Sequence, residues 1–222
     1  AKNEIKNENF VFFPMSYQPE ATSYPDSQFL HDQKKIILTI SKNLPKNFYL
    51  YVKEHPTQLN LTSTHSFNSP QLRKLNFYKE ILRETKNVIF LSKSFNVEKC
   101  IRKSSLVIVT NGTAGIESLV NLKPIITLGH VWYIFCPGIK VVTSYPMLKK
   151  NIILYFKKKL KLKIELEKLN SFMHLVLSNS RRILYKPNHE IIYKKNKTKN
   201  RKLKIMKFFS DSIKVLLNQK RF

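Results

Sequence analysis

Short apolar runs alternate with longer amphipathic segments along the first 145 residues of the chain. The runs are continuous and rich in β-branched or aromatic residues, which is typical of strands buried on both faces. They read FVFFP, FYLYV, VIFLS, SLVIV and PIITL. Segments between them, such as SQFLHDQKKIILTISKNL, carry apolar residues at helical spacing. Strands that alternate with helices predict a parallel sheet covered on both faces, so we expect a Rossmann-like, doubly wound α/β domain over residues 10–145.

The pattern changes after this domain. Residues 146–222 have a helical pattern, and from Ile191 onward eleven lysines and arginines face a single acid, Asp211. We expect a helical, basic C-terminal extension, with residues 1–9 as a linker at the other end. A basic amphipathic helix can lie on an anionic membrane surface. A helix packed against the domain, or a frayed tail, explains the same pattern equally well.

Composition narrows the function classes. Hydrophobic residues make up 42% of the 222 residues, enough for a core, so we do not expect global disorder. The formal net charge of +26 indicates an anionic partner, such as a nucleotide, a nucleic acid or acidic lipid headgroups. Lysines that are simply solvated remain the competing explanation. Cys100 and Cys136 match no metal or redox spacing, and no Asp-x-Asp motif occurs, so we expect neither a metal nor another cofactor.

Three of the four glycines fall in one segment, residues 109–130. The segment's first part follows a predicted strand directly, at the edge of the sheet where ligands of doubly wound folds bind. Glycine there lets a phosphate approach the backbone, threonine hydroxyls can donate to it, and a carboxylate can accept from ribose. The candidate nucleotide-binding residues are Thr110, Asn111, Gly112, Thr113, Gly115 and Glu117. A tight turn between strand and helix would also explain the glycines.

Other polar residues follow strands that end at the same edge. Lys53, His55 and Pro56 end the FYLYV run, where a histidine can donate to a phosphate and a lysine adds charge. Gln18 and Glu20 follow the first strand. They could contact a sugar or a nucleotide, and ordinary turn residues would give the same sequence.

An aromatic cluster follows the PIITL run at this edge. His130, Trp132 and Tyr133 could wall the pocket, with the aromatic rings stacking on a base or sugar. Aromatic residues buried in the core would give the same sequence.

These blocks taken together resemble a known family. FVFFPMSYQPEATSYP, DQKKIILTISKNLPKNFYLYVKEHP, VTNGTAGIESLVNLKPIITLGHVWY and CPG are similar, in order, to blocks of the capsule and surface-polysaccharide glycosyltransferases, a group that resembles the capsule Kdo transferases. The resemblance implies a GT-B architecture in which two Rossmann-like domains close over a donor nucleotide, with this chain as the C-terminal, donor-binding half. It implies that His55 and Thr113 contact the donor phosphate, that Glu117 lies at the ribose, and that Trp132 and Tyr133 wall the pocket.

The resemblance also sets the expected reaction. We expect metal-independent glycosyl transfer from a nucleotide-activated sugar, with a CMP-sugar favoured, to a polysaccharide or glycolipid acceptor. Glu20 is the candidate general base. The family's N-terminal domain is expected outside this chain, and the protein is expected in the cytoplasm, peripheral at the inner face of the membrane. A CDP-glycerol-type glycerophosphotransferase remains an alternative, as does a non-catalytic basic module binding nucleic acid or membrane; we expect no specific nucleic acid.

Overall fold

The computed structural model describes residues 5, 9–18, 30–59, 73–136, 138–179, 184–185 and 191–192. Glu20 and the basic run after residue 192 lie outside the described residues. The chain divides into two compact units, residues 1–164 and 165–222.

In its described residues, the first unit is an α/β unit with six parallel strands. Its strands are β1 (Phe10–Pro14), β2 (Tyr49–Lys53), β3 (Val88–Phe90), β4 (Leu106–Val109), β5 (Ile125–Leu128) and β6 (Ile139–Val142). Its helices are α1 (Gln33–Lys42), α2 (Leu75–Glu84), α3 (Val97–Lys103), α4 (Ala114–Val120) and α5 (Tyr145–Phe156), with a 3-10 turn at Pro56–Leu59. The strands pair in the order β3-β2-β1-β4-β5-β6, all in parallel. This arrangement confirms the predicted Rossmann-like, doubly wound sheet.

The second unit is described in less of its length. It contains α6 (Leu166–Asn179) and two short antiparallel strands, β7 (Leu184–Tyr185) and β8 (Ile191–Ile192). The helical pattern predicted α6 but not the pair of strands. None of the described helices has the length and apolar character that a membrane crossing requires.

The sheet of the first unit is buried on both faces. Alternate strand residues point to opposite sides, and those on one side, such as Val11 and Ile108, pack with α1, α2 and α5 in the main core. Phe10 and Tyr51 point to the other side, where their rings meet edge to face with centroids 4.6 Å apart. Helices α3 and α4 contact each other, and their buried residues include Ile101. Burial on both faces explains why the strand sequences show continuous apolar runs instead of alternation.

The strand order also determines where a ligand can bind. The chain moves outward from β1 to β3 and then crosses back to place β4 on the other side of β1. Because all six strands are parallel, their carboxyl ends lie at one edge, and the loops after β1 and β4 leave in opposite directions. Such a switch point leaves a crevice at this edge, which is the usual ligand position in open α/β sheets.

Candidate functional site

A cavity of about 390 Å³ opens at this switch point, beyond the carboxyl ends of β1, β2 and β4. Its walls are residues 14–17 after β1, residues 53–56 after β2, and residues 111–114 after β4, together with Val97, Val109 and Glu117. The volume lies within the range of about 300–1,000 Å³ found for small-molecule sites. The predicted residues after β2 and β4 are therefore brought together, although they lie more than 50 positions apart in the sequence.

The loop after β4 contributes hydroxyl, amide and carboxylate groups. Thr110 is buried, and its hydroxyl forms a hydrogen bond with that of Ser16, which joins the loops after β1 and β4. Asn111 is half-buried and Thr113 is exposed on the cavity wall. The Thr113 hydroxyl donates to the exposed Glu117 carboxylate over 3.4 Å, so these two groups face the same volume.

Different features of the structure explain why glycine occupies positions 112 and 115 of this loop. A Cβ on Gly115 would lie 2.0 Å from the Tyr133 hydroxyl oxygen, because Tyr133 packs closely against the start of α4. A Cβ on Gly112 would have no non-neighbouring atom nearer than 4.0 Å. Close packing of the tyrosine thus explains Gly115, whereas Gly112 lines the cavity with open space in front of it.

The residues after β2 play unequal parts. Lys53 lines the cavity, but its buried ammonium donates to the backbone carbonyls of Lys93, at 2.7 Å, and Ser92, at 3.3 Å. Burial lowers the pKa of Lys53. Pro56 begins the 3-10 turn and forms part of the wall. Two of the three N–H donors of the Lys53 ammonium are thus engaged by the loop after β3, and at most one remains for a phosphate.

His55 is half-buried on the cavity wall. Its ring centroid lies 5.9 Å from that of Tyr17, which follows β1 on the opposite wall, with the ring planes tilted by 50°. Its backbone N–H donates to the Glu54 carboxylate at 2.7 Å. This geometry places an imidazole at the gap between the β1 and β2 loops.

Sequence reasoning did not identify the buried carboxylate beneath His55. Glu54 is 6% exposed and accepts hydrogen bonds from the Arg73 guanidinium and, at 2.7 Å, from the Tyr78 hydroxyl. Burial, reinforced by the hydrogen bond to Glu54, raises the pKa of Tyr78. A charged residue directly after a buried strand could have indicated Glu54. The sequence offers no comparable signal for Arg73.

Hydrogen bonds hold Gln18 close to the Glu54–Arg73 pair. Its backbone exchanges two hydrogen bonds with the Gln58 amide, at 2.9 and 3.1 Å. Its side chain donates to the His31 carbonyl at 2.7 Å and accepts from Arg73 at 3.2 Å. Gln18 does not line the cavity, so the structure gives it a part in shaping the loop after β1.

The aromatic cluster after β5 is not part of the cavity wall. Trp132 is 60% exposed, His130 is exposed and Tyr133 is buried, and none of these three lines the cavity. The Tyr133 hydroxyl nevertheless donates to the Gly112 carbonyl at 2.9 Å, so this ring supports the cavity loop from behind. Burial raises the pKa of Tyr133.

Within the described ranges, no group of three histidine, cysteine, aspartate or glutamate side chains lies close enough together to hold a metal ion. Both cysteines are buried free thiols. Burial raises the pKa of Cys100 to about 12 and that of Cys136 to about 11.

The sequence matches the model of one protein family. The model of the family described as "Capsule polysaccharide biosynthesis protein" matches residues 23–143, which is more than half of the chain. None of the curated proteins matches the sequence.

Several solved structures are similar in fold. One is KpsC, a beta Kdo 2,7 transferase of Thermosulfurimonas dismutans, with 16% identity and a TM-score of 0.48 over 77% of this chain and 47% of that one. A variant of the wall teichoic acid polymerase TagF has 12% identity and a TM-score of 0.46, over 97% of this chain and 46% of that one. The UDP-GlcNAc 2-epimerase of Methanocaldococcus jannaschii has 14% identity and a TM-score of 0.47, over 80% and 47%. The chain thus spans about half the length of each of these proteins.

Proposed function

Because this chain belongs to the capsule polysaccharide biosynthesis family, we propose that it is the donor-binding domain of a glycosyltransferase. Its pathway would make a capsule or another surface polysaccharide. The donor is a nucleotide-activated sugar, with a CMP-sugar favoured, and it binds in the cavity at the switch point. The observation that carries the proposal is the set of donors and acceptors that three parallel strands deliver to this one cavity.

Each group on the wall suits a part of a nucleotide. His55 can donate a hydrogen bond to a phosphate, as can Thr113 if its hydroxyl turns from Glu117, and Gly112 leaves room for the phosphate to approach the backbone. Asn111 can bond the sugar or base through its amide. Glu117 can accept from ribose hydroxyls. The formal net charge of +26 favours the approach of any anionic ligand.

The chemical contribution of these groups would be electrostatic. When the glycosyl bond breaks, negative charge grows on the leaving nucleotide phosphate, and donors already aimed at that position lower the barrier. In this proposal the reaction needs no metal. The acceptor, a polysaccharide or glycolipid, binds to a second domain that completes the GT-B cleft. The general base that deprotonates the acceptor hydroxyl is Glu20 or a residue of that second domain.

A titration of the full chain with CMP, CDP, CDP-glycerol, UDP and GDP tests the proposal. Thermal unfolding and calorimetry both report binding, and a ligand at 100 times its Kd stabilises the folded state by about 2.7 kcal/mol. For a chain of this size that corresponds to a rise in Tm of roughly 5–10 °C. We expect CMP to give the largest rise. We expect His55→Ala to weaken CMP binding at least about tenfold, as the loss of a charge-assisted hydrogen bond would.

The control is His174→Ala, which removes an exposed histidine on α6 in the second unit and should leave binding unchanged. If only CDP-glycerol stabilised the chain, the result would indicate a glycerophosphotransferase instead of a glycosyltransferase. If the chain instead bound polyanions with an affinity that fell steeply with salt and was unchanged in His55→Ala, it would be a basic module without a nucleotide site.

A further inference from the structure

The hydrogen-bonded ladder between β1 and β2 ends at the cavity. Its last bond joins the Met15 N–H to the Lys53 carbonyl at 2.8 Å. Beyond this bond the two chains separate to form opposite walls, residues 16–17 on one side and residues 54–56 on the other. Any fixed spacing between these walls must come from side chains.

Arg73 provides a bond across this gap. One nitrogen of its guanidinium pairs with the Glu54 carboxylate, on the β2 side. The other donates to the Ser16 carbonyl at 2.9 Å and to the Gln18 side-chain oxygen at 3.2 Å, on the β1 side. A single planar group therefore binds both walls directly at Ser16 and Glu54, whereas the Gln58 amide joins the two loops farther along, at Gln18. The fork geometry of the guanidinium constrains the distance between the walls at this point.

Burial makes this cross-link rigid. The side chains of Arg73 and Glu54 are 7% and 6% exposed, so water offers little competition for their hydrogen bonds. Tyr78 donates to the second oxygen of Glu54, and the His55 N–H donates to the first. The carboxylate thus has donors from α2, from Arg73 and from the cavity wall, which leaves it little freedom to rotate.

Arg73 itself does not line the cavity. Two of its nitrogens are already engaged by protein acceptors, and the guanidinium lies behind the wall. The position argues against a direct contact with the ligand and in favour of a role through Glu54 and Ser16.

We propose that Arg73 is a positioning residue that sets the spacing between the Ser16–Tyr17 wall and the His55 wall of the ligand cavity. The proposal rests on the proposed function, in that a nucleotide is the ligand whose phosphate must meet His55. A lysine at position 73 would keep the charge that compensates Glu54. It would lose the fork that reaches Ser16 and Gln18 at the same time.

The experiment compares Arg73→Lys and Glu54→Gln in the full chain, with CMP as the probe. Calorimetry gives the Kd at a temperature well below every Tm, and thermal unfolding gives the stability. We expect Arg73→Lys to lose at least about tenfold in CMP affinity with a small change in Tm, since small misplacements of binding groups carry a large cost. Glu54→Gln should lose affinity to a similar degree.

The matched control is Ile81→Val, a core change on α2 that lowers Tm without touching the network. If Arg73 were only a structural residue, all three variants would lower Tm but bind CMP as tightly as the parent at this temperature, because nearly all of each chain is folded there. That outcome, or unchanged CMP affinity in Arg73→Lys, overturns the proposal.

A second readout does not depend on the ligand. The Tyr17 and His55 rings, with centroids 5.9 Å apart, should give a nuclear Overhauser effect between their ring protons. We expect this signal to weaken or vanish in Arg73→Lys and to persist in Ile81→Val. If the parent chain binds none of the titrated nucleotides, the proposed function fails, while the ring signal still decides whether Arg73 positions the walls. An unchanged signal in Arg73→Lys refutes that role.

Discussion

Replacing Gly115 by alanine should destabilise the first unit, whereas the same change at Gly112 should not. The added Cβ on Gly115 would meet the Tyr133 hydroxyl oxygen at 2.0 Å and two ring carbons at 2.6 and 2.8 Å. Tyr133 cannot move easily because it is fully buried and its hydroxyl donates to the Gly112 carbonyl. The contact must therefore be relieved by shifting the ring or the start of α4.

The size of the effect follows from three contributions. Overpacking of a close-packed site costs about 1–3 kcal/mol. Loss of the Tyr133 hydrogen bond adds about 0.5–1.5 kcal/mol. Alanine in a helix offsets this by up to about 1 kcal/mol relative to glycine. We expect Gly115→Ala to lower the free energy of unfolding by about 2 kcal/mol, or Tm by roughly 4–8 °C.

Gly112→Ala is the internal control for this prediction. Gly112 does not have a positive φ, and its Cβ would point into open space. Removing backbone freedom from the unfolded chain can stabilise such a site by about 0.4–1 kcal/mol. Its Tm should stay within about 4 °C of the parent. The same methyl group would stand on the cavity wall and should weaken nucleotide binding.

Thermal and urea unfolding of both variants and of Tyr133→Phe measure these effects. Tyr133→Phe removes the atom at 2.0 Å but leaves the ring carbons, so it should relieve the Gly115→Ala clash in part. The double variant should then show a coupling energy of about 0.5 kcal/mol or more. Equal Tm values for the parent and Gly115→Ala, or strictly additive effects with Tyr133→Phe, would show that the packing argument is wrong.

Two further predictions concern α1 and the thiols. Asp32 caps α1 by accepting the Lys35 N–H at 3.0 Å, so Asp32→Ala should cost about 1 kcal/mol in urea unfolding, and Asp32→Ser, which keeps an acceptor, should cost much less. Because burial raises the pKa of Cys100 to about 12 and that of Cys136 to about 11, both thiols should react with a disulfide reagent at pH 8 far more slowly in the folded protein than in urea. The pKa values of the folded thiols lie above those of the unfolded chain. The contribution of the two thiols to the free energy of unfolding is therefore complete below about pH 9 and is lost as pH rises towards 11–12. Fast labelling of the folded chain, or a free energy of unfolding that does not fall above pH 9, would contradict this.

The sequence predicted the elements that are buried on both faces. Strands β1 to β5 have continuous apolar runs, whereas β6 at the sheet edge contains Lys140 and is half-buried, so it lacked that signal. Parallel pairing brings all carboxyl ends to one edge, which is why the loops of the cavity could be predicted from strand ends alone.

The directions in which side chains point could not be predicted from the sequence. Nothing local shows that the Lys53 ammonium turns to the loop after β3, or that Tyr133 supports Gly112 instead of lining the cavity. Arg73 lies 19 positions from Glu54, and only the tertiary fold reveals their pairing. These contacts depend on how loops pack, which residue types and spacing do not encode.

The position of β4 beside β1 has a consequence for the order in which the molecule assembles. Ser16 and Thr110, whose hydroxyls bond at this junction, are 94 positions apart in the sequence. Such distant pairings form late, because closing a long loop costs entropy before the contact is made. Strands β1 to β3 can assemble first, and until β4 arrives the apolar β1 keeps one unpaired edge, which is prone to pairing with other chains. The step that completes the cavity is thus also the step that covers this edge of β1.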